Sequence, residues 1–182
     1  MKKAAIILFI FVVTGCTAWT KVTGPYESPS LRYTADLPEG WMKYAQGNTL
    51  LLSKDGVTLQ NILVNKEAID ADLEFTKKRF EPQMFPQDAA EVYLDNERMN
   101  LSKHNFEVVR NMLSKVSDVL AFDVEYTYNT AEGLKIRTCC RGLVRNGYFY
   151  QISYTAPDRY YYKKDLDAYN AVLEGFQFMP EN

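Results

Sequence analysis

The stretch LAFDVEYTY, from Leu120 to Tyr128, constrains the fold of this chain more than any other segment. Its apolar side chains recur at every second position, opposite Asp123 and Glu125, which is the period of a strand with one buried face. Two further β-rich runs follow Glu132-Gly133 and Asn146-Gly147, and the second dipeptide is the typical sequence of a tight hairpin. We therefore predict a half-buried strand that opens a meander of three antiparallel strands.

Helical periodicity appears in three other segments, and Asp55-Gly56 marks a further hairpin. Asp70 is placed to cap the first helix and Pro82 to end it, while the second helix follows Pro86 and the third follows Pro157-Asp158. Their apolar stripes are Ile69, Leu73, Thr76 and Phe80; Ala89, Val92, Tyr93, Asn96 and Met99; and Tyr162, Leu166, Tyr169 and Leu173. Strands interspersed with such helices predict an α+β domain, a layered α/β/α sandwich around an antiparallel β-sheet.

The chain begins with two lysines, an apolar run and small residues that lead to Cys16. This order is typical of a secretory signal. A helix of about 10 residues is only ~15 Å long, too short for a hydrocarbon core of ~30 Å. The ending Thr14-Gly15-Cys16 resembles the lipobox of bacterial lipoproteins, which implies that residues 1–15 are a lipoprotein signal peptide and that Cys16 carries acyl chains.

Two or three acyl chains would hold a domain on the membrane, whereas one chain binds only reversibly. Thr17, rather than Asp, follows Cys16, and by the same resemblance this favours the outer membrane, facing the periplasm, over the inner membrane. Residues 16–30 lack apolar periodicity and contain Gly and Pro, which predicts a flexible tether. Residues 31–180 are then expected to form a single domain.

The charge balance excludes one class of partner. Loss of Lys2 and Lys3 with the signal would leave 19 basic residues against 23 acidic ones, a formal charge of −4. A mildly acidic chain of this kind is not expected to bind nucleic acid. His104 is the only histidine, so neither a His-rich metal site nor a catalytic triad is predicted, and no cofactor is expected.

Cys139 and Cys140 are adjacent in a predicted strand. Neighbouring Cα atoms lie about 3.8 Å apart and their side chains point to opposite faces, which disfavours a bridge between them. On this interpretation Cys140 points inward, while Cys139 shares the other face with Arg137 and Arg141. That basic setting would lower the thiol pKa, so Cys139 is a candidate reactive thiol, although two structural thiols explain the pair more simply.

Three consecutive tyrosines, Tyr160 to Tyr162, precede two lysines. A helix does not place three consecutive side chains on one face, and the stripe of the third helix takes Tyr162 inward. Tyr160 and Tyr161 are therefore a candidate binding surface, because aromatic rings beside charged groups suit a contact with a protein or a glycan. The alternative is that their rings cover the sheet edge while their hydroxyls remain in water.

The segment LPEGW, from Leu37 to Trp41, and the ending YQISYTAPDRYYYKKDLDAYNAVLEGFQF resemble PsbP-like and DcrB-like proteins. The resemblance implies a layered domain without a common set of catalytic residues, used by envelope lipoproteins and by accessory factors of membrane assemblies. We predict a non-enzymatic, lipid-anchored envelope protein that binds another envelope protein as an accessory or assembly factor. The alternatives are a thiol-dependent redox protein that uses Cys139 or Cys140, and a module that binds a small ligand or glycan between helices and sheet.

Overall fold

The computed structural model describes residues 19–180, which are built around an eight-stranded antiparallel sheet. The strands are β1 (Thr20–Lys21), β2 (Pro25–Ser28), β3 (Tyr33–Asp36), β4 (Met42–Gln46), β5 (Thr49–Ser53), β6 (Asn61–Ala68), β7 (His104–Val116), β8 (Val119–Asn129), β9 (Lys135–Arg145), β10 (Tyr148–Pro157) and β11 (Gln177–Phe178), and the helices are α1 (Pro86–Arg98) and α2 (Tyr161–Glu174). The large sheet has the order β1-β4-β5-β6-β10-β9-β8-β7, and β11-β3-β2 form a three-stranded sheet.

The two helices pack on opposite faces of the large sheet. Tyr93 of α1 packs against Phe122 of β8, with 5.5 Å between ring centroids, and Tyr169 of α2 packs against Tyr154 of β10 at 6.0 Å. Tyr33 of β3 is fully buried in the same core as Tyr169, so the small sheet lies on the α2 side. The predicted α+β architecture, layered around an antiparallel sheet, is confirmed.

The strand β8 is buried on both faces, so the prediction of a half-buried strand is wrong. Phe122 and Val124 face α1, as the alternation predicts. Asp123 and Glu125 on the other face are each only 8% exposed, because Arg110 of β7 and Arg residues of β9 form ion pairs with them. Two carboxylates in the sequence therefore indicate an ion-pair ladder between strands rather than a face in water.

The meander contains four strands instead of three, because β7 precedes β8 and lies at the edge of the sheet. The predicted hairpin at Asn146-Gly147 is confirmed, since both residues have positive φ angles, of 52° and 77°. The hairpin of β5 and β6 is confirmed as well, with Gly56 inside a connecting loop of residues 54–60. β4, which pairs with β5, was not predicted from the sequence.

The predicted helix between Ile69 and Phe80 is wrong. Residues 69–85 form short turns and irregular segments, and Lys77 adopts a φ of 59°, which is incompatible with a right-handed helix. The Asn96 side chain of α1 instead accepts hydrogen bonds from the backbone N–H groups of residues 75 and 76, at 2.9 and 3.3 Å. Phe80 is buried by stacking on Phe149, with 4.0 Å between centroids. Tertiary contacts therefore fix this segment, whereas the two other predicted helices form as α1 and α2.

The prediction of a flexible tether over residues 16–30 is wrong for its described part, because residues 20–28 contain two paired strands. β1 pairs with β4, and β2 pairs with β3. Val22 is only 8% exposed and its N–H donates to the carbonyl of Trp41 at 2.9 Å. The signal segment and Cys16 lie outside the described residues. Within residues 19–180, no helix is long and apolar enough to cross a membrane.

Candidate functional site

The aromatic run at the start of α2 divides between core and surface. Tyr162 is 6% exposed and Tyr160 is 64% exposed, as the helical register predicts. Tyr161 is half-buried, and its ring meets that of Tyr160 edge-on at a centroid distance of 5.1 Å. Lys164 Nζ lies 5.7 Å from the Tyr160 centroid and 5.2 Å from the Tyr161 centroid. The predicted surface is therefore a defined pair of rings beside a cation.

The two thiols point to opposite faces of β9, as predicted, but both are buried. Cys140 packs in the α1 core, and Cys139 packs under α2 at 2% exposure. Burial raises the pKa of Cys139 to about 12, and burial also raises the pKa of Cys140 well above its usual value. The predicted lowering of the Cys139 pKa is therefore wrong, because the sequence did not reveal the helix that covers this face.

The arginines beside Cys139 are engaged elsewhere. Arg137 donates to Glu125 at 2.5 Å and also pairs with Asp158, and Arg141 donates to Asp123 at 3.2 Å. Carboxylates thus compensate the charge of these arginines. Burial of the Cys139 thiol is therefore the main influence on its protonation.

We expect both thiols to resist a thiol-specific reagent such as dithionitrobenzoate in the folded protein at pH 8, since a buried, protonated thiol is a poor nucleophile. Both should react rapidly in denaturant, and alkylation followed by mass spectrometry without reductant should find no bond between Cys139 and Cys140. Rapid labelling of the native protein at Cys139 would contradict the burial described above.

A cleft of about 330 Å³ lies on the α1 side of the sheet. The helix α1 packs against β7, β8 and β9, and the cleft lies beside it over part of the same face of β6 and β10. The floor of the cleft is largely polar, because β10 directs Gln151, Ser153 and Thr155 toward the cleft and its apolar residues between them toward α2. The floor residues with hydroxyl or amide groups are Asn61, Asn65, Thr138, Gln151, Ser153 and Thr155. Such a surface offers hydrogen bonds to a polar ligand.

One wall of the cleft is a chain of hydrogen-bonded side chains. Lys103 pairs with Glu97, and Glu97 accepts a hydrogen bond of 2.8 Å from the Tyr126 hydroxyl. The hydroxyls of Tyr126 and Tyr93 lie 3.3 Å apart, and burial raises the pKa of both tyrosines well above the usual value. These phenols therefore stay protonated, and they hold the wall in place rather than exchange protons at neutral pH.

A ligand-binding cleft between helices and sheet was one alternative interpretation of the sequence, without any residues assigned to it. The signal was present in YFYQISYTA, where Gln151, Ser153 and Thr155 occupy every second position. That pattern does not show which part of the face a helix covers. His104, the single histidine of the sequence, is exposed at the start of β7. In the described part of the chain, no three His, Cys, Asp or Glu side chains converge to hold a metal ion.

No protein-family model matches the chain, and no curated protein is significantly similar to it in sequence. Solved structures do match. Cyanobacterial PsbP (CyanoP) from Synechocystis sp. PCC 6803 superposes with a TM-score of 0.56 at 11% identity, over 94% of this chain and 98% of that one. LpqN, involved in cell envelope biogenesis of Mycobacterium tuberculosis, superposes with a TM-score of 0.52 at 15% identity, over 90% and 91%.

A crystal structure from Bacteroides thetaiotaomicron VPI-5482 has a TM-score of 0.52 at 14% identity, and it covers 87% of this chain. The chain spans about half the length of that protein, 49%. Identities this low establish similarity of fold alone. The chain thus has the PsbP-like fold that LPEGW and the C-terminal segment predicted.

Proposed function

We propose that this chain is a non-enzymatic accessory protein of the cell envelope, anchored by acyl chains on Cys16, that binds another envelope protein. The observation that carries the proposal is the ring pair at the start of α2, in which the exposed Tyr160 ring meets the half-buried Tyr161 ring edge-on. Similarity of fold to CyanoP, a PsbP protein, and to LpqN, a protein involved in cell envelope biogenesis, supports an accessory role in the cell envelope.

The ring pair has the physical properties of a protein contact. A tyrosine ring buries a large apolar surface on binding with little loss of conformational entropy. Its hydroxyl forms hydrogen bonds with water in the unbound protein. Lys164, which lies over both rings, also pairs with Asp55 at 2.7 Å. Lys164 thus links α2 to the loop before β6 beside the two rings, so that binding would order few additional side chains.

The experiment is affinity capture from membranes with the native anchor kept, followed by identification of stoichiometric partners. We expect Tyr160→Ala combined with Tyr161→Ala to abolish capture of the partner, while Phe85→Ala leaves capture unchanged. Phe85 is a suitable control because its ring is 72% exposed and lies before α1, on the other face of the sheet. Equal capture by the double variant and the wild type would refute the ring pair as the binding surface.

The anchor is tested in the same cells. Cys16→Ser should prevent acylation and normal processing, and it should move the protein out of the fraction that the wild type occupies in a membrane separation. Processing and attachment of the variant at the wild-type level would refute the lipid anchor.

A second candidate function is the binding of a small, neutral, polar ligand in the cleft. The observation that favours it is the polar floor on β6, β9 and β10. Burying polar groups in a packed core without hydrogen-bond partners is costly, so a polar floor suits a site that binds a polar ligand. Three carboxylates and one lysine line the cleft, a balance that disfavours anionic ligands. This function is favoured over the first if Ser153→Ala, and not the tyrosine double variant, removes a ligand that copurifies with the wild type.

A further inference from the structure

The edge of the large sheet formed by β7 carries a group of exposed apolar side chains. Within residues 19–180, β7 is the terminal strand of this sheet and pairs with β8 alone. Leu113 and Met112 of β7 are 50% and 53% exposed, and Leu120 of β8 is 57% exposed. The Lys115 carbonyl accepts a hydrogen bond of 3.3 Å from Arg141, and a carbonyl has a second lone pair for a ladder bond. An edge of this kind can receive another strand.

The regular part of this edge strand has two limits. The register of β7 on β8 shifts by one residue between Val108 and Arg110, and a turn at Ser117 ends the strand. Between these limits, the seven residues Arg110–Val116 pair without interruption with residues 119–125 of β8. A shift in register bends a strand, so this segment is the part of the edge that suits pairing with a second strand.

An antiparallel pairing of two copies through all seven residues has one register, because the first residue must lie opposite the last. Its two-fold axis passes through Leu113, so the exposed Leu113 side chains of the two copies meet. Asn111 then lies opposite Lys115 of the second copy, and Met112 lies opposite Ser114. The register is therefore fixed by the length of the regular segment.

This register brings together opposite charges that do not pair within one copy. Asn111 lies on the α1 face of β7, because its side-chain amide donates to Glu91 of α1 at 3.1 Å. Lys115 shares this face, since alternate residues of a strand point to the same side. Glu91 and Lys115 are both exposed, and none of the ion pairs within residues 19–180 includes either one. Lys115 of each copy would thus lie beside Glu91 of the other, once on each side of the axis.

Lys115 has a second interpretation, since natural proteins often place a lysine on an edge strand to prevent pairing. We expect the opposite effect here, because Glu91 supplies a countercharge at the position that the lysine of the second copy reaches. On the other face of β7, Arg110 already pairs with Asp123 and Glu125, each at 2.7 Å. Its charge is thus compensated within each copy and adds little repulsion between two copies.

We propose that β7 is a homodimer interface, in which the segments Arg110–Val116 of two copies pair antiparallel about a two-fold axis at Leu113. The sheet would then continue from one copy into the other. On the α1 face, Leu113 and the neighbouring Leu120 form an apolar centre, and two ion pairs between Lys115 and Glu91 flank it. This interface is separate from the ring pair on α2, which packs on the opposite face of the sheet.

The first test is disulfide cross-linking of the full-length chain in whole cells under mild oxidation. Leu113→Cys should give a covalent dimer, because opposed Cα atoms of antiparallel strands lie about 4.5–5.5 Å apart, within the range of a disulfide. Met112→Cys is the matched control, since its position is equally exposed. Two copies of residue 112 would be offset by two positions along the strands, with their Cα atoms about 8 Å apart, beyond that range. Cys139 and Cys140 are buried, and the wild type gives the background.

We expect at least about fivefold more dimer from Leu113→Cys than from Met112→Cys, because only the first pair has disulfide geometry. A smaller difference, or no dimer above the wild-type background, would overturn the proposed register. A cross-linked product that contains a different protein would assign the edge to another partner and would overturn the homodimer.

The second test reverses the charges and measures the dimer dissociation constant by sedimentation equilibrium of the full chain in a non-ionic detergent. Lys115→Glu and Glu91→Lys should each weaken the dimer at least about tenfold, because each replaces two attractions by two repulsions. The two reversals combined should restore the constant to within about threefold of the wild-type value. Lys163→Glu makes the same charge change at an exposed position on α2 and should alter the constant less than about twofold.

The substituted residues Lys115 and Glu91 are exposed, so the variants should keep the fold. Single reversals without effect, or a double reversal that is no tighter than the single ones, would contradict the pairing of these two charges. A wild type that stays monomeric up to about 100 μM would overturn the interface itself.

Lys115→Ala separates the two interpretations of the lysine. Loss of both ion pairs with Glu91 should weaken the dimer at least about twofold, the lower range for two exposed pairs. If the lysine instead protects the edge, its removal would leave self-association unchanged or make it tighter, and either result would overturn the proposal.

Discussion

Tyr162→Ala is expected to lower the free energy of unfolding by about 3–5 kcal/mol, the usual cost of deleting a buried aromatic side chain. The ring is 6% exposed and packs on Tyr154, with 5.5 Å between centroids. The guanidinium carbon of Arg137 lies 5.3 Å from the centroid of this ring. Truncation would therefore remove contacts to β9 and β10 together, and chemical denaturation at constant pH measures the loss.

The matched control is Tyr160→Ala, two residues earlier. Tyr160 is 64% exposed, so we expect a change within about 0.5 kcal/mol. A loss in Tyr160→Ala as large as that in Tyr162→Ala would place both rings in the core and would remove the proposed binding surface. Equal stability of Tyr162→Ala and wild type would contradict the packing of α2 on the sheet.

Gly142→Ala is expected to destabilise the protein by about 3 kcal/mol, because a core without free space does not accept an added methyl group. Gly142 of β9 lies opposite Phe122 of β8, and a Cβ atom there would lie 2.2 Å from Phe122 Cζ. Phe122 is 1% exposed and is held between Tyr93 and Phe149, with centroids at 5.5 and 6.1 Å. The ring has no room to move aside, and thermal unfolding would report the loss.

A double-mutant cycle with Phe122→Leu separates this clash from a general intolerance of β9. The smaller side chain makes space for the new methyl group, so the double variant should lose less stability than the sum of the single variants. Additive losses would show that the Phe122 ring is not the obstacle.

The spacing of apolar residues and the turn dipeptides in the sequence predicted much of the architecture. Alternation at Leu120–Tyr128 and the dipeptide Asn146-Gly147 predicted β8 and the β9–β10 hairpin, since side-chain period and turn conformation are properties of neighbouring residues. The register of α2 followed in the same way from Tyr162 and Tyr169, and it separated Tyr162 from Tyr160. The exposure of Tyr160 beside the buried Tyr162 was thus predictable from the sequence.

The errors arose where residues distant in the chain determine the structure. Ile69 and Phe80 have helical spacing, yet their segment forms turns because the side chain of Asn96 binds its backbone and Phe149 stacks on Phe80. Residues 20–28 have the composition of a linker, yet they pair with β3 and β4. Neither contact is visible in a window of neighbouring residues.

The sequence by itself determined the strand and helix periods, the alternation that separates Cys139 from Cys140, and the surface position of Tyr160. Only the tertiary structure decided what covers each face. It placed α2 over Cys139 and left polar side chains of β10 facing a cleft beside α1. The physical reason is that period assigns a side chain to a face, whereas its dielectric environment, and therefore its pKa and its ligands, depends on elements far away in the chain.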